Sequence, residues 1–384
     1  MIKLENRNAK RTLGFLKFAA LFILAACGTV AHADASRCND RWVQVEESKD
    51  LSQLLRSNAD HYWTWVGKEG PAHFESLFSF QGLVAADPHL NNFGPMAVKG
   101  KIRWTLTDID DVGIGSFAAD VARFVLMAEV ASNKAAKKKD LIDAYIKGLK
   151  KQSLAAPSEI QTTLKMGANE IRNAEAEIAQ DIQSEPGKIK TNKERISLGS
   201  EANYERVRSE LAIHLSRADG RAQIQDIVRI ERQRGGCTDC ERYFVLTQND
   251  GIQDLWDIKE IYSPAPSCAQ GHLQDAVATK EQAIRNIWLG GTLDSSFQVF
   301  RWKKKAFLLR KKQWKGVDLK VSKPGQLARL LDILSYDFFV LGTIHAQSPA
   351  ANEFLKVVES KPTALQEGIE KALKAYAKTY PRGF

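Results

Sequence analysis

Apolar positions follow two different periods along the 384-residue chain. Up to about residue 222 they recur mostly at helical spacing. From there to about residue 316 they alternate as strands do, and helical spacing then returns. Residues 47–60 and 71–80 read as short helices. GLVAA at 82–86 reads as a buried strand that leads into the polar stretch DPHLNNFG. KIRWTLTDID, from residue 101, alternates as a strand and ends in carboxylates. AADVARFVLMAEVAS at 118–132 is a helix with a broad apolar face. Residues 137–151 and roughly 158–215 read as charge-rich helix, broken near Pro157 and at EPGK, 185–188.

The alternating region opens with DIVRIERQ, a Gly-containing turn RGGCTDC and ERYFVLT, a hairpin pattern. NDG at 249–251 marks another turn, followed by the strand QDLWDIKEIY. SPAPSC reads as a loop and residues 272–288 as a helix. SFQVFRW and AFLLRKK form a second hairpin across a lysine turn. Residues 326–346 make a long apolar helix and 364–379 an amphipathic one. The pattern predicts an α+β protein with no internal repeat, divided into 34–222, 223–316 and 317–384.

Composition changes this picture mainly at the N-terminus. Residues 1–33 read as a signal peptide: Lys3, Arg7, Lys10, Arg11 and Lys17 precede the short apolar run FAALFILAA. LAAC at 24–27 resembles a lipobox that would lipidate Cys27, and AHA-D offers the alternative of cleavage after residue 33. Loss of this segment takes the net charge from +9 to +5, a mild excess that does not point to nucleic acid. The basic segment RWKKKAFLLRKKQWK is explained more simply by a hairpin with a solvated turn. The expectation is an exported chain, periplasmic or membrane-attached only through a lipid on Cys27. Cys38, Cys237, Cys240 and Cys268 then stand in a disulfide-permitting compartment. Pairing of Cys237 with Cys240 and of Cys38 with Cys268 is one of three connectivities open to them.

Candidate chemistry sits where the apolar runs end. Phosphoryl transfer needs a carboxylate at the acceptor hydroxyl, hard oxygen ligands for magnesium and a cation on the donor's phosphates. Asp87 and Asn92 share one loop, and Asp108 ends the next strand, so Asn92 and Asp108 can share an ion if that strand folds back. TDIDDVG lacks the acid at position twelve that a calcium-binding EF-hand requires. In the alternating region, the Gly235–Gly236 turn can present backbone N–H groups to phosphate, and Lys259 can reach it from the strand DIKE. Glu281, or Asp275 on the same helix, can pair with Lys259. His89 reads as a loop brace and His345 as a core histidine. Alone, Asp87, His89 and Asn92 would make an ordinary polar turn.

Together these residues resemble the bacterial domain-of-unknown-function family 2252, which has a protein-kinase-like fold. Ala86, Asp87, His89, Asn92, Phe93 and Gly94 match its catalytic-loop motif. TDIDD matches its acidic motif through Asp108 and Asp110, and ADVARF matches through Asp120 and Arg123. RGGCTDCERYFVL, IKEIY, LRKKQWKG and IHAQS match its later segments, so the likeness runs from about residue 60 to residue 350. Aminoglycoside-phosphotransferase-type kinases are similar through the same loop and acidic motif. The resemblance implies a two-lobe kinase-like fold that is circularly permuted: a helical catalytic lobe first, a β-rich nucleotide lobe second, and QWKG at 313–316 as hinge. It implies Asp87 as the catalytic Asp, Asn92 and Asp108 as magnesium ligands, and Asp110 as an auxiliary ligand. Lys259 would contact the phosphates of ATP, Asp120 would brace the loop, and the acceptor is unspecified.

Two departures bear on activity: Ala86 replaces the motif's glycine, and Cys-Thr-Asp-Cys replaces its small phosphate turn. Export also separates the chain from cytosolic ATP. The expected function is an exported, magnesium-dependent phosphotransferase, with a non-catalytic, pseudokinase-type envelope binding module as the alternative.

Overall fold

The computed structural model describes Cys38 and residues 51–231, 240–291, 294–312 and 325–380. Met1–Arg37 and Cys38–Phe384 are separate units. Cys27 and the rest of the expected signal segment, Gly235 and Gly236 of the expected phosphate turn, Cys237, and residues 313–316, the expected hinge, lie outside the described residues.

The second unit begins with α1 (Leu51–Arg56) and α2 (Ala59–Phe74). α2 occupies the stretch that the sequence pattern leaves between two short helices. It buries Tyr62, Trp63, Val66 and Phe74, and Pro71 is tolerated in its last turn. Its interior glycines obscure the helical pattern, yet Gly67 is there for contact: a Cβ would lie 2.7 Å from the carbonyl oxygen of Ala269. Two antiparallel ribbons follow. β1 (Gln81–Val84) pairs with β4 (Gly113–Ser116), and β2 (Phe93–Val98) pairs with β3 (Lys101–Leu106). α3 (Phe117–Ala131) is buried on every side from Phe117 to Ala128, as an apolar run without a polar face must be.

α4 (Lys138–Leu149) packs against α10 (Gln326–His345), so the chain's last third returns to the first. Gly148 and Gly342 make that crossing close: a Cβ on either would strike the other helix's backbone. Expected helix over 158–215 resolves into α5 (Ser158–Leu164), α6 (Ala168–Asp181), three short strands and α7 (Glu201–Ala218). β5 (Gln183–Glu185) and β6 (Lys188–Ile189) turn at Gly187, whose φ of 81° needs a residue without a Cβ. β7 (Arg195–Ile196) joins the main sheet, so the sheet reaches back before residue 223.

That sheet also contains β8 (Gln223–Ile230), β9 (Arg242–Asn249), β10 (Ile252–Ile261), β11 (Phe297–Trp302) and β12 (Lys305–Lys311). Its antiparallel order is β11-β12-β10-β9-β8-β7. Asp250 and Gly251, at φ 49° and 81°, make the tight turn that NDG predicts. One apolar cluster packs Trp256, Ile258, Phe307 and Leu309 against Val207 and Leu211 of α7. Another packs Leu246 and Leu255 against Ala179 and Ile182, at the end of α6. Between β10 and β11 come α8 (Ser267–Gln270), then α9 (Ala276–Ala283), which continues as a π-helical turn, Ile284–Trp288.

α11 (Ala351–Ser360) and α12 (Ala364–Ala377) complete the α+β architecture. The sequence reading leaves α11 out, although it buries Phe354 and Val358. A disulfide joins Cys38 to Cys268, 230 residues apart, with Cα atoms 5.1 Å apart. Cys240 is also disulfide-bonded. Among the described residues no helix is long and apolar enough to cross a membrane.

Candidate functional site: the Asp87 loop and the acidic turn

After β1 the backbone folds sharply. The Asp87 N–H donates to the Ala85 carbonyl at 2.8 Å, closing a three-residue turn on Ala86, whose φ is 64°. An L residue is strained there. Surrounding groups hold the turn. Asp120 accepts from the N–H groups of Ala85 and Ala86 at 2.9 and 2.8 Å, and Trp63 Nε1 donates to the Ala86 carbonyl at 2.8 Å. Asp120 is itself fixed by His345, whose Nε2 lies 3.0 Å away, and the Tyr145 hydroxyl lies 2.9 Å from His345 Nδ1. All three side chains are buried, so this network supports the loop from beneath.

Asp87 is only 8% exposed. Arg123 donates to Oδ1 from Nε at 3.1 Å and from Nη2 at 2.5 Å. Nη2 also donates to the Leu55 carbonyl of α1 at 3.0 Å. Burial alone would raise the Asp87 pKa, but Arg123, with a smaller contribution from His89, brings it down to about 2. His89 Nε2 lies 3.5 Å from Asp87 Oδ2 and accepts from Arg56 Nε at 3.1 Å. Burial holds the His89 pKa below its usual value, consistent with a neutral ring whose Nε2 is an acceptor.

Asn92 links this loop to the acidic turn. Its Nδ2 donates to the Asp87 carbonyl at 3.0 Å, and its own carbonyl accepts from Thr107 N at 2.6 Å. β3 therefore does fold back, and Asp108 follows immediately. The Asp110 N–H donates to Asp108 Oδ1 at 3.2 Å. Burial would raise the Asp108 pKa, but Lys259, Arg310, Arg242 and His89 lower it overall. Lys259 forms an ion pair with Asp110. Glu281 is exposed on α9, so the acid paired with Lys259 is Asp110 instead. Asp275 caps α9 through the Ala278 N–H and pairs with Arg301 at 2.8 Å.

Residues far along the chain grip the acidic turn by its backbone. Trp288 Nε1 donates to the Leu106 carbonyl, Arg310 Nη1 to that of Thr107 and Lys280 Nζ to that of Val112, each at 2.7 Å. Gln274 pairs with both backbone groups of Ile114, at 2.8 and 2.7 Å. The sheet face at the turn is strongly cationic. Arg242 stands opposite Lys259 in register, and Arg310 stands opposite Asp257. Like charges facing each other across strands need counter-ions. Asp257 serves Arg242, with bonds of 2.7 and 2.5 Å, and Asp110 serves Lys259. Sequence reasoning assigned no role to Arg56, Arg242, Lys280 or Arg310. Arg242 and Arg310 were legible only as charges within alternating strands.

Asn92, Asp108 and Asp110 offer hard oxygen donors, which suit Mg2+. Among the described residues no three His, Cys, Asp or Glu side chains stand together as a metal cage.

No curated protein and no solved structure matches the chain. Residues 79–233, which contain Asp87, Asn92, Asp108, Asp110, Asp120 and Arg123, match the family DUF2252, described as an uncharacterized protein conserved in bacteria.

Proposed function

We propose that the chain is an exported, kinase-like phosphate-handling protein, a magnesium-dependent phosphotransferase whose acceptor carries a hydroxyl. The observation that carries this reading is the meeting of the Asp87 loop, the acidic turn and Lys259 from β10 at one place. β8 to β10, then α9, then the β11–β12 hairpin supports a kinase-like nucleotide lobe with its lysine on the third strand. In that reading the chain is circularly permuted, because the catalytic loop and acidic turn precede the lobe. The Cys38–Cys268 disulfide supports an oxidising compartment, in agreement with export as a periplasmic or Cys27-lipidated protein.

Asn92 and Asp108 would hold Mg2+, with Asp110 as auxiliary, and the ion would neutralise phosphate oxygens. Lys259 exchanges Asp110 for the phosphates of ATP. Asp87 presents a carboxylate oxygen to the acceptor hydroxyl. As the acceptor oxygen bonds to phosphorus, the bond to the donor's leaving oxygen breaks and the hydroxyl proton passes to solvent.

Thermal denaturation with and without Mg2+ and ATP tests this reading. The wild type should gain stability and Asp108→Asn should not. No gain in the wild type, oxidised or reduced, would remove the nucleotide from the proposal. The second reading is a pseudokinase-type envelope module that binds without turnover. It is favoured by the closed Lys259–Asp110 pair.

A further inference from the structure

The two oxygens of Asp87 differ in surroundings. Oδ1 takes both Arg123 bonds, from Nε and Nη2. Oδ2 faces the His89 ring, whose Nε2 already accepts from Arg56. That nitrogen therefore cannot donate to Oδ2 while His89 is neutral. Arg123 is completely buried, lies 5.2 Å above the Tyr62 ring and is tied to the Leu55 carbonyl, while its Nη1 has no hydrogen-bond partner. A buried guanidinium with an unsatisfied donor is costly, which argues for a role beyond packing. Two contacts from α1 converge here: Leu55 fixes Arg123, and the adjacent Arg56 fixes His89.

We infer that Arg123 and Arg56 are positioning residues: Arg123 pins Asp87 Oδ1, Arg56 turns the His89 ring, and Oδ2 is left as the oxygen that receives the acceptor hydroxyl. Asp87 then orients the hydroxyl without taking its proton. This inference rests on the phosphotransferase reading for the identity of the acceptor, but the clamp itself does not. The charged groups that face Asp87 are Arg123 from α3 and His89 from its own loop, with Arg56 and Asp108 behind His89.

The test follows the Asp87 carboxyl by 13C NMR in selectively labelled protein, assigned with Asp87→Asn. Arg123→Lys should keep the titration below the usual carboxylate range, whereas Arg123→Met should raise it above that range. An unchanged titration in folded Arg123→Met would overturn the clamp. If Arg123→Met does not fold, the Asp87→Asn/Arg123→Met double variant should regain the lost thermal midpoint, because both buried charges are gone. Failure to regain it would overturn the clamp as well. A pure packing role predicts that Arg123→Lys and Arg123→Met behave alike by NMR, and that result too would overturn the proposal. Thermal shift with Mg2+ and ATP separates the two readings: its absence in the wild type removes the nucleotide without touching the carboxyl result.

Discussion

Asp87 and Asp108 sit on adjoining turns, but they are held in opposite ways. Asp87 is sealed in the helical layer by Arg123, and its loop rests on Asp120, His345 and Tyr145. Asp108 and Asp110 lie at the rim. Cations from the sheet lower the Asp108 pKa and pair with Asp110, and side chains about 160–200 residues away hold the backbone on either side of them. The first arrangement is rigid because Arg123 is fully buried and holds a carboxylate that is itself almost fully buried. The second can exchange partners, because the Lys259–Asp110 pair keeps some exposure. Under the proposed phosphotransferase reading, the fixed carboxylate would orient the acceptor and the exchangeable pair would give way to phosphate.

The comparison breaks most sharply at Arg123. Arg123→Met strands the buried Asp87 charge and should cost about 3–5 kcal/mol in chemical denaturation. Lys259→Met should cost about 1 kcal/mol or less, since its pair is partly solvated. Equal losses would erase the distinction between a sealed site and an open one. Acid titration sharpens it next. The Asp87 pKa is depressed to about 2 in the folded state, so its contribution is complete above the unfolded value near 3.8 and is lost as pH falls towards 2. Its size should be about 2 kcal/mol, and Asp87→Asn should flatten that part of the stability profile.

Glu175, half-buried on α6 away from both carboxylates, serves as the control of opposite sign. Burial raises its pKa to about 7, so stability should fall as pH rises from about 4.5 to 7, and Glu175→Gln should remove that decline. The smallest effect belongs to Ala86. Ala86→Gly relieves about 1 kcal/mol of left-handed strain but loses a buried methyl worth about 0.8 kcal/mol. The measured change should therefore lie within about 0.5 kcal/mol of zero. A large loss would show that the methyl, and not the turn, matters there.

The Asp87 loop and the acidic turn were legible in the sequence because each is a local pattern: an apolar strand that ends in short polar side chains. The NDG turn and the sheet strands were legible for the same reason. α2 was not, because Gly67, Gly70 and Pro71 disguise a helix that tertiary contact with Ala269 rewards. The hairpin inside the expected long helix was signalled at EPGK, but the charge pattern around it hid the strands. Partners were hardest to read. Lys259 was picked out by its strand, yet its acid is Asp110 and not Glu281, a choice made by how the sheet meets the turn. Arg310 and Lys280 act on backbone carbonyls, which carry no residue-specific mark in sequence.

Equilibrium binding of Mg2+ and ATP, measured by titration calorimetry on wild type, Asp108→Asn and Asp87→Asn, tests the division between the two carboxylate centres most directly. Wild type should bind, Asp108→Asn should lose at least about tenfold in affinity, and Asp87→Asn should stay within about threefold of wild type. Binding that survives Asp108→Asn, or that Asp87→Asn weakens just as much, would contradict the account.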